Sequence, residues 1–413
     1  MRSRGIRHSK RRCSFCSAPT SESTLLISGG RAFICRECAK RCAAQISREV
    51  PPTPNWRCWT PRRLKSVLDE HVIGQEQAKR ILSVAVYNHY KRIAQSKGEG
   101  DVELAKSNVL LIGPSGSGKT LLAETLARVL DVPFAITDAT CLTQTGHVGQ
   151  DPETILQRLV RIAGGDVAKA EQGIVYIDEI DKIARRQTPN TARRDIAGEG
   201  VQQALLPIMD GAFVSLTLGD RWEDRFRDGF PFSTRDILFI CGGTFNGLEE
   251  CIRRREHRVA IGYGAAGPHS GEAHDDLRRV RPDDLVAYGF IPEFIGRLPV
   301  IATLEAIDAQ NLVRVLTEPR NALIKQYRRL FELADAELLF EESALVAIAQ
   351  KALRRRTGAR ALRAILEETL LDSMFEIGSE AGRRTIVVSD ALVARTREKQ
   401  SPPAREHHLR RRA

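Results

Sequence analysis

From about residue 64 onward, apolar positions along the chain alternate between two periods. Residues 76–93, EQAKRILSVAVYNHYKRI, carry apolar side chains at helical spacing. Val109, Leu110, Leu111 and Ile112 form a run with no polar interruption, and residues 119–130 return to the helical pattern. Two more uninterrupted runs follow, IVYI at 174–177 and ILFI at 237–240. A strand apolar at every position has no side left for water. Short runs of this kind between helices therefore predict an α/β fold with a parallel sheet covered on both faces. After about residue 308 the strand signal thins and helices dominate, apart from a late strand at 385–388, TIVV. We divide this part of the chain into a large domain over 64–307 and a small, mostly helical domain over 308–395.

The region before residue 64 follows a different pattern. Cys13 and Cys16 form one CxxC pair, and Cys35 and Cys38 form a second after eighteen intervening residues. Each pair offers two thiolates to one ion, and two pairs complete a tetrahedral four-sulfur site for Zn²⁺. A segment spanning 13–49 is too short to hold itself together with an apolar core, so metal would supply its stability. Cys42 reads as a spare thiol. Residues 50–61, VPPTPNWRCWTP, hold four Pro and two Trp, which predicts a stiff, extended linker over 50–63. Trp56 and Trp59 read as apolar plugs against the next domain.

Composition narrows the function classes. The 413 residues are 42% hydrophobic and 28% charged, which excludes a disordered chain, a collagen and a disulfide-stapled miniprotein. No stretch reaches the ~18 apolar residues of a membrane span. The net charge of +11 invites a nucleic-acid reading, but residues 1–12 carry six Lys or Arg and no acid, and residues 403–413 four Arg against one Glu. The body between them is nearly balanced, which argues against a DNA-binding face. The tails, 1–12 and 396–413, read as solvated ends. Nine cysteines, an odd number, argue against a complete disulfide framework, and no apolar signal core follows the basic N-terminus. A reducing cytoplasm is the expected compartment.

Two motifs carry chemistry. Gly113, Pro114, Ser115, Gly116, Ser117, Gly118, Lys119 and Thr120 follow the first apolar run and open a helix. In that setting, glycines let backbone N–H groups curl around an anion, and the helix N-terminus adds its positive end. Lys119 would reach the β- and γ-phosphates of ATP, and Thr120 would ligate Mg²⁺. Some sixty residues on, IVYI ends in Asp178 and Glu179. Asp178 would hold the magnesium, directly or through water, and Glu179 would act as general base on the attacking water. Thr244 ends the third run, where a hydroxyl would reach the γ-phosphate or the water, or else cap a turn.

In this order the motifs resemble the AAA+ ATPases, and more closely the ClpX family of hexameric protein unfoldases that feed a barrel-shaped peptidase. The resemblance rests on the four-Cys ribbon and on LDEHVIGQEQAKRILSVAVYNHYKR (68–92), GPSGSGKT (113–120), VYIDEIDKIA (175–184), GEGVQQALL (198–206), ILFICGG (237–243), IPEFIGRLPV (291–300) and TGARALRAI (357–365). It spans roughly residues 13–395. It implies an AAA+ P-loop large domain with a parallel sheet, a small helical C-terminal domain and an N-terminal zinc ribbon that recruits substrates or adaptors. It further implies Val72 and Ile73 in the adenine pocket, Arg297 as an arginine finger toward the neighbouring subunit, and Arg360 as the second nucleotide sensor. The implied partners are a homo-hexamer, a ClpP-type peptidase, unfolded or tagged substrate proteins and adaptors.

The chain departs from the family pattern in three places. The pore loop, Gly-aromatic-Val-Gly in the family, reads Gly146, His147, Val148, Gly149. Imidazole is smaller and more polar, which predicts a weaker grip on a translocating chain. The basic Arg-Lys-His loop is absent between 211 and 236, where RWED stands at 221–224. The peptidase-docking tripeptide Ile-Gly-Phe reads Ile261, Gly262, Tyr263. The leading expectation is an ATP-dependent unfoldase that delivers substrates to a peptidase. A remodelling chaperone or scaffold without a peptidase is the alternative, and a nucleic-acid motor a third reading.

Overall fold

A computed structural model describes residues 12–16, 26–29, 32–36, 38–39, 42, 59–95, 104–142, 151–185, 196–218, 229–259, 276–355, 357–376 and 384–395. The chain divides into two compact units, one through Cys58 and one from Trp59. In the first, β1 (Leu26–Gly29) and β2 (Ala32–Cys35) form an antiparallel hairpin with Leu26 opposite Cys35.

The second unit opens with α1 (Pro61–His71), which begins inside the stretch read as linker. Pro61 suits the first helical turn because its missing N–H has no partner there in any case, and the Thr60 hydroxyl accepts from Arg63 N at 3.3 Å. Helix α2 (Glu76–Gln95) carries the expected 76–93 pattern and buries Leu82, Val86 and Tyr90.

The apolar runs become β3 (Val109–Ile112), β5 (Ile174–Asp178) and β8 (Leu238–Gly243), with β4 (Phe134–Asp138) and β9 (Val300–Thr303) completing a five-stranded sheet. Every pairing in it is parallel, in the order β4-β5-β8-β3-β9. All four positions of β3 and all six of β8 are buried, the expected consequence of helices on both faces. Strand β8 thus lies between β3 and β5. An antiparallel pair, β6 (Phe213–Leu216) and β7 (Phe230–Ser233), stands apart from the sheet.

A separate core forms after residue 307, around Leu316, Phe331, Ile348, Leu362 and Leu366. It is built on helices that include Glu342–Arg354 and Arg360–Glu376, with β10 (Ala336–Phe340) and β11 (Arg384–Val388) as a parallel pair. The turn at Thr357 and Gly358, which precedes Arg360–Glu376, packs against Ser115 and Gly116. Among the described residues no helix is long and apolar enough to cross a membrane.

Candidate active site

The loop 113–118 leaves β3 and enters α3 (Lys119–Leu130). Gly116 and Gly118 adopt φ of +77° and +99°, a region where a side chain is strained. These two turns fold the loop around the start of α3, the geometry that gathers backbone N–H groups around phosphate. The glycines also clear space. A β-carbon on Gly113 would lie 2.8 Å from Leu304, whereas one on Gly118 would make only ordinary contact with Val72 Cγ1 at 3.6 Å. Val72 and Ile73 are both buried, and Val72 lies beside Gly118 of the loop.

Lys119 Nζ donates to the carbonyls of Gly113 at 2.6 Å and Pro114 at 3.0 Å. Burial pushes its ammonium down to about 8, against the pull of Asp178 and with a push from Arg360. A cation held in so dry a place gains strongly from an anionic ligand.

The acids stand at the C-terminal end of β5, beside the loop. Thr120 Oγ1 donates to Asp178 Oδ2 at 3.4 Å, and Tyr176 OH donates to Asp178 Oδ1 at 3.3 Å. A hydroxyl and a carboxylate converging in this way form an all-oxygen donor set that fits Mg²⁺. Tyr176 can occupy this place because β8 has glycine two positions past its register partner Ile240: a β-carbon on Gly242 would fall 2.1 Å from the phenol oxygen. Glu179 is exposed, with φ +54°, and its N–H bonds Asp178 Oδ1 at 3.0 Å. A non-glycine residue in the left-handed region stores strain, and such strain gathers at functional positions.

The strand order places Thr244 between the loop and the acids. Its hydroxyl donates to Asp181 Oδ2 at 3.1 Å and its N–H to Oδ1 at 3.1 Å. Arg297 follows the short helix Pro292–Gly296, and its half-exposed guanidinium pairs with Asp210. Its carbonyl accepts from Asn108 Nδ2 at 3.0 Å. Arg360 opens its helix just after Gly358, close enough to Lys119 to act on its charge. Residues 146–149, 221–224 and 261–263 lie outside the described residues.

Gln75 and Gln202 fall inside stretches that carry the family resemblance, but their contacts, and those of Asp210, are visible only in the structure. Gln75 is buried with φ +59°, and its amide exchanges hydrogen bonds of 2.9 Å with the backbone of Glu305, at the exit of the sheet. Gln202 and Asp210 sit within and at the end of the helix Ile196–Asp210. Each has partners remote along the chain, so no local pattern reveals them.

In the N-terminal unit, the sulfurs of Cys13, Cys16, Cys35 and Cys38 all lie within 4.8 Å of one another. Thiolates placed ~2.3 Å from a tetrahedral zinc stand about 3.8 Å apart, and Cys16 and Cys35 Sγ are 3.7 Å apart. Backbone N–H groups support two of the sulfurs, Cys35 N to Cys13 Sγ at 3.3 Å and Cys38 N to Cys35 Sγ at 3.4 Å. The residues therefore fit a zinc ion. Cys42 is not one of the four.

A phosphate loop and paired acids on a parallel sheet, with a strand inserted between them and a second helical core against the loop, define an AAA+ ATPase. Comparison with known proteins agrees. Residues 104–301 match the AAA domain (Cdc48 subfamily), residues 307–382 the C-terminal, D2-small domain of ClpB protein, and residues 11–48 the ClpX C4-type zinc finger. The ATP-dependent Clp protease ATP-binding subunit ClpX of Treponema denticola is 46% identical over 393 residues, covering 94% of this chain and 95% of that one. Its counterpart from Borrelia duttonii is 46% identical over 390 residues, covering 93% and 91%. The chain belongs to the ClpX family. It is an ATPase with a four-cysteine zinc finger and is not itself a peptidase.

Proposed function

We propose that this ATPase unfolds proteins and threads them into a ClpP-type peptidase. The observation that carries the reading is likeness along almost the whole chain, zinc finger and both ATPase cores together, to proteins named as the ATP-binding subunit of a Clp protease. In this reading six copies form a ring. Lys119 and the loop amides bind the nucleotide phosphates, and Val72 and Ile73 face the base. Thr120 and Asp178 hold magnesium, which would neutralise phosphate charge during transfer. Glu179 takes the proton of the attacking water, Thr244 orients the end of the site through Asp181, and Arg297 enters the neighbouring subunit's site. Arg360 brings the small domain to the nucleotide. Loops 146–149 push the substrate, and 261–263 dock on the peptidase. The zinc finger recruits clients or adaptors, and the cytoplasm is the compartment.

The test is ATP-dependent loss of fluorescence from a folded, tagged reporter, with and without a peptidase ring. Loss of signal with peptide release supports the reading, whereas an intact reporter under ATP turnover contradicts it. His147 in place of an aromatic residue and Tyr263 in place of Phe favour a second reading, a remodelling chaperone without a peptidase. Unfolding with no degradation would select it.

A further inference from the structure

Gln202 lies 0% exposed between two working parts of the subunit. Its Nε2 donates to the carbonyl of Ile183 at 2.8 Å, and its Oε1 accepts from the N–H of Ile291 at 2.9 Å. Ile183 ends the 3-10 turn Ile180–Ile183, which has Glu179 as its N-cap. Ile291 is the N-cap of the helix Pro292–Gly296, which has Arg297 as its C-cap. One side chain thus joins the turn that carries the hydrolytic acid to the helix that ends in the arginine.

The surrounding backbone holds the same two parts together. A β-carbon on Gly198 would fall 2.7 Å from Ile183 O, so glycine lets the Gln202 helix approach. Arg185 N donates to Gly289 O at 2.9 Å, and a β-carbon on Gly289 would lie 2.4 Å from Arg185 O. A second line runs beside it. Phe245, next to Thr244, stacks on Phe290 at 5.8 Å, and Phe290 on Phe294 at 5.8 Å. The carbonyl of Phe294 accepts from Arg297 N at 3.1 Å.

We propose that Gln202 is a positioning residue that couples the Glu179 turn to Arg297, so that each subunit's own catalytic turn sets the arginine it offers its neighbour. The proposal rests on the reading of Arg297 as a finger acting on the next subunit. A buried amide satisfied at both ends is rigid in both directions, because moving either partner leaves a polar group unpaired.

A double-mutant cycle in the full-length assembled protein tests it. Gln202→Leu keeps the bulk and removes both bonds. Gln202→Glu keeps an acceptor for Ile291 N and removes the donor to Ile183, so it serves if the leucine variant fails to fold. With melting temperature and ring assembly retained, kcat for ATP should fall roughly tenfold, with KM little changed, in the background that has Arg297. In an Arg297→Ala background the same change should cost less than about twofold. An equal loss in both backgrounds, or no loss in either, overturns the coupling. Full activity of Arg297→Ala alone would instead remove the finger reading, a separate outcome.

Discussion

Gly116 and Thr357 approach so closely that a β-carbon on the glycine would stand 2.5 Å from the threonine carbonyl oxygen. The contact is backbone on backbone and joins the phosphate loop to the turn before Arg360. Gly358 answers from the other side, with φ +56° and room for a β-carbon only 2.9 Å from Ser115 O. Whatever reshapes the loop therefore presses on the second core, without a side chain between them to absorb the movement.

Gly358→Ala tests this contact. Left-handed strain costs roughly 1–2 kcal/mol for a residue with a β-carbon, and the clash with Ser115 adds to it. We expect the melting temperature to fall, by roughly the few degrees that 1–2 kcal/mol corresponds to, and ATP turnover to drop, while far-ultraviolet dichroism stays unchanged. Unaltered turnover would mean the contact is idle.

Glu179→Gln keeps the turn and removes the carboxylate proposed as general base. Loss of a general base costs about 10²- to 10⁴-fold in rate, so phosphate release should nearly stop while filter-bound ATP persists. Turnover near the starting rate would refute the role of Glu179.

Lys119 gives a pH signature. Its pKa is lowered to about 8 in the free site by burial, and phosphate favours the charged form. Above about pH 8 binding must therefore take up a proton, and affinity should weaken by up to about tenfold per pH unit. Calorimetry in buffers of different ionisation enthalpy would record the uptake. A dissociation constant flat from about pH 7 to 9 would contradict the assignment.

Cys38→Ser should release about one zinc per chain, read with a colorimetric chelator, because three sulfurs hold zinc far less tightly than four. The unit from Trp59 has its own cores, so basal ATPase should survive. Retained zinc would contradict the four-sulfur assignment.

How much the sequence could reveal follows from the range of the interactions. The CxxC pairs were legible because each is a local spacing, and the structure brings their four sulfurs together; the loop 113–120 and the acids at 178 and 179 stand at the ends of β3 and β5, where their order in the sequence put them. The strands over 109–112, 174–177 and 237–240 were legible because burial on both faces leaves an unbroken apolar run. The insertion of β8 between β3 and β5 was not, since pairing joins residues more than a hundred positions apart, such as Val109 and Ile240. Gln202 shows the same limit: it sits in the family-like stretch GEGVQQALL, but its bond to Ile291 spans 89 positions and no local pattern reveals it. The start of α1 at Pro61 was masked by the neighbouring prolines, though Thr60 before Pro61 carries a capping signal.

Nucleotide cleavage that drives work on polypeptide is tested most directly by steady-state phosphate release from the purified protein. With magnesium and ATP, release should occur and should rise severalfold when an unfolded polypeptide is added, with no response to DNA. No release under either condition, or a rise with DNA alone, would contradict it.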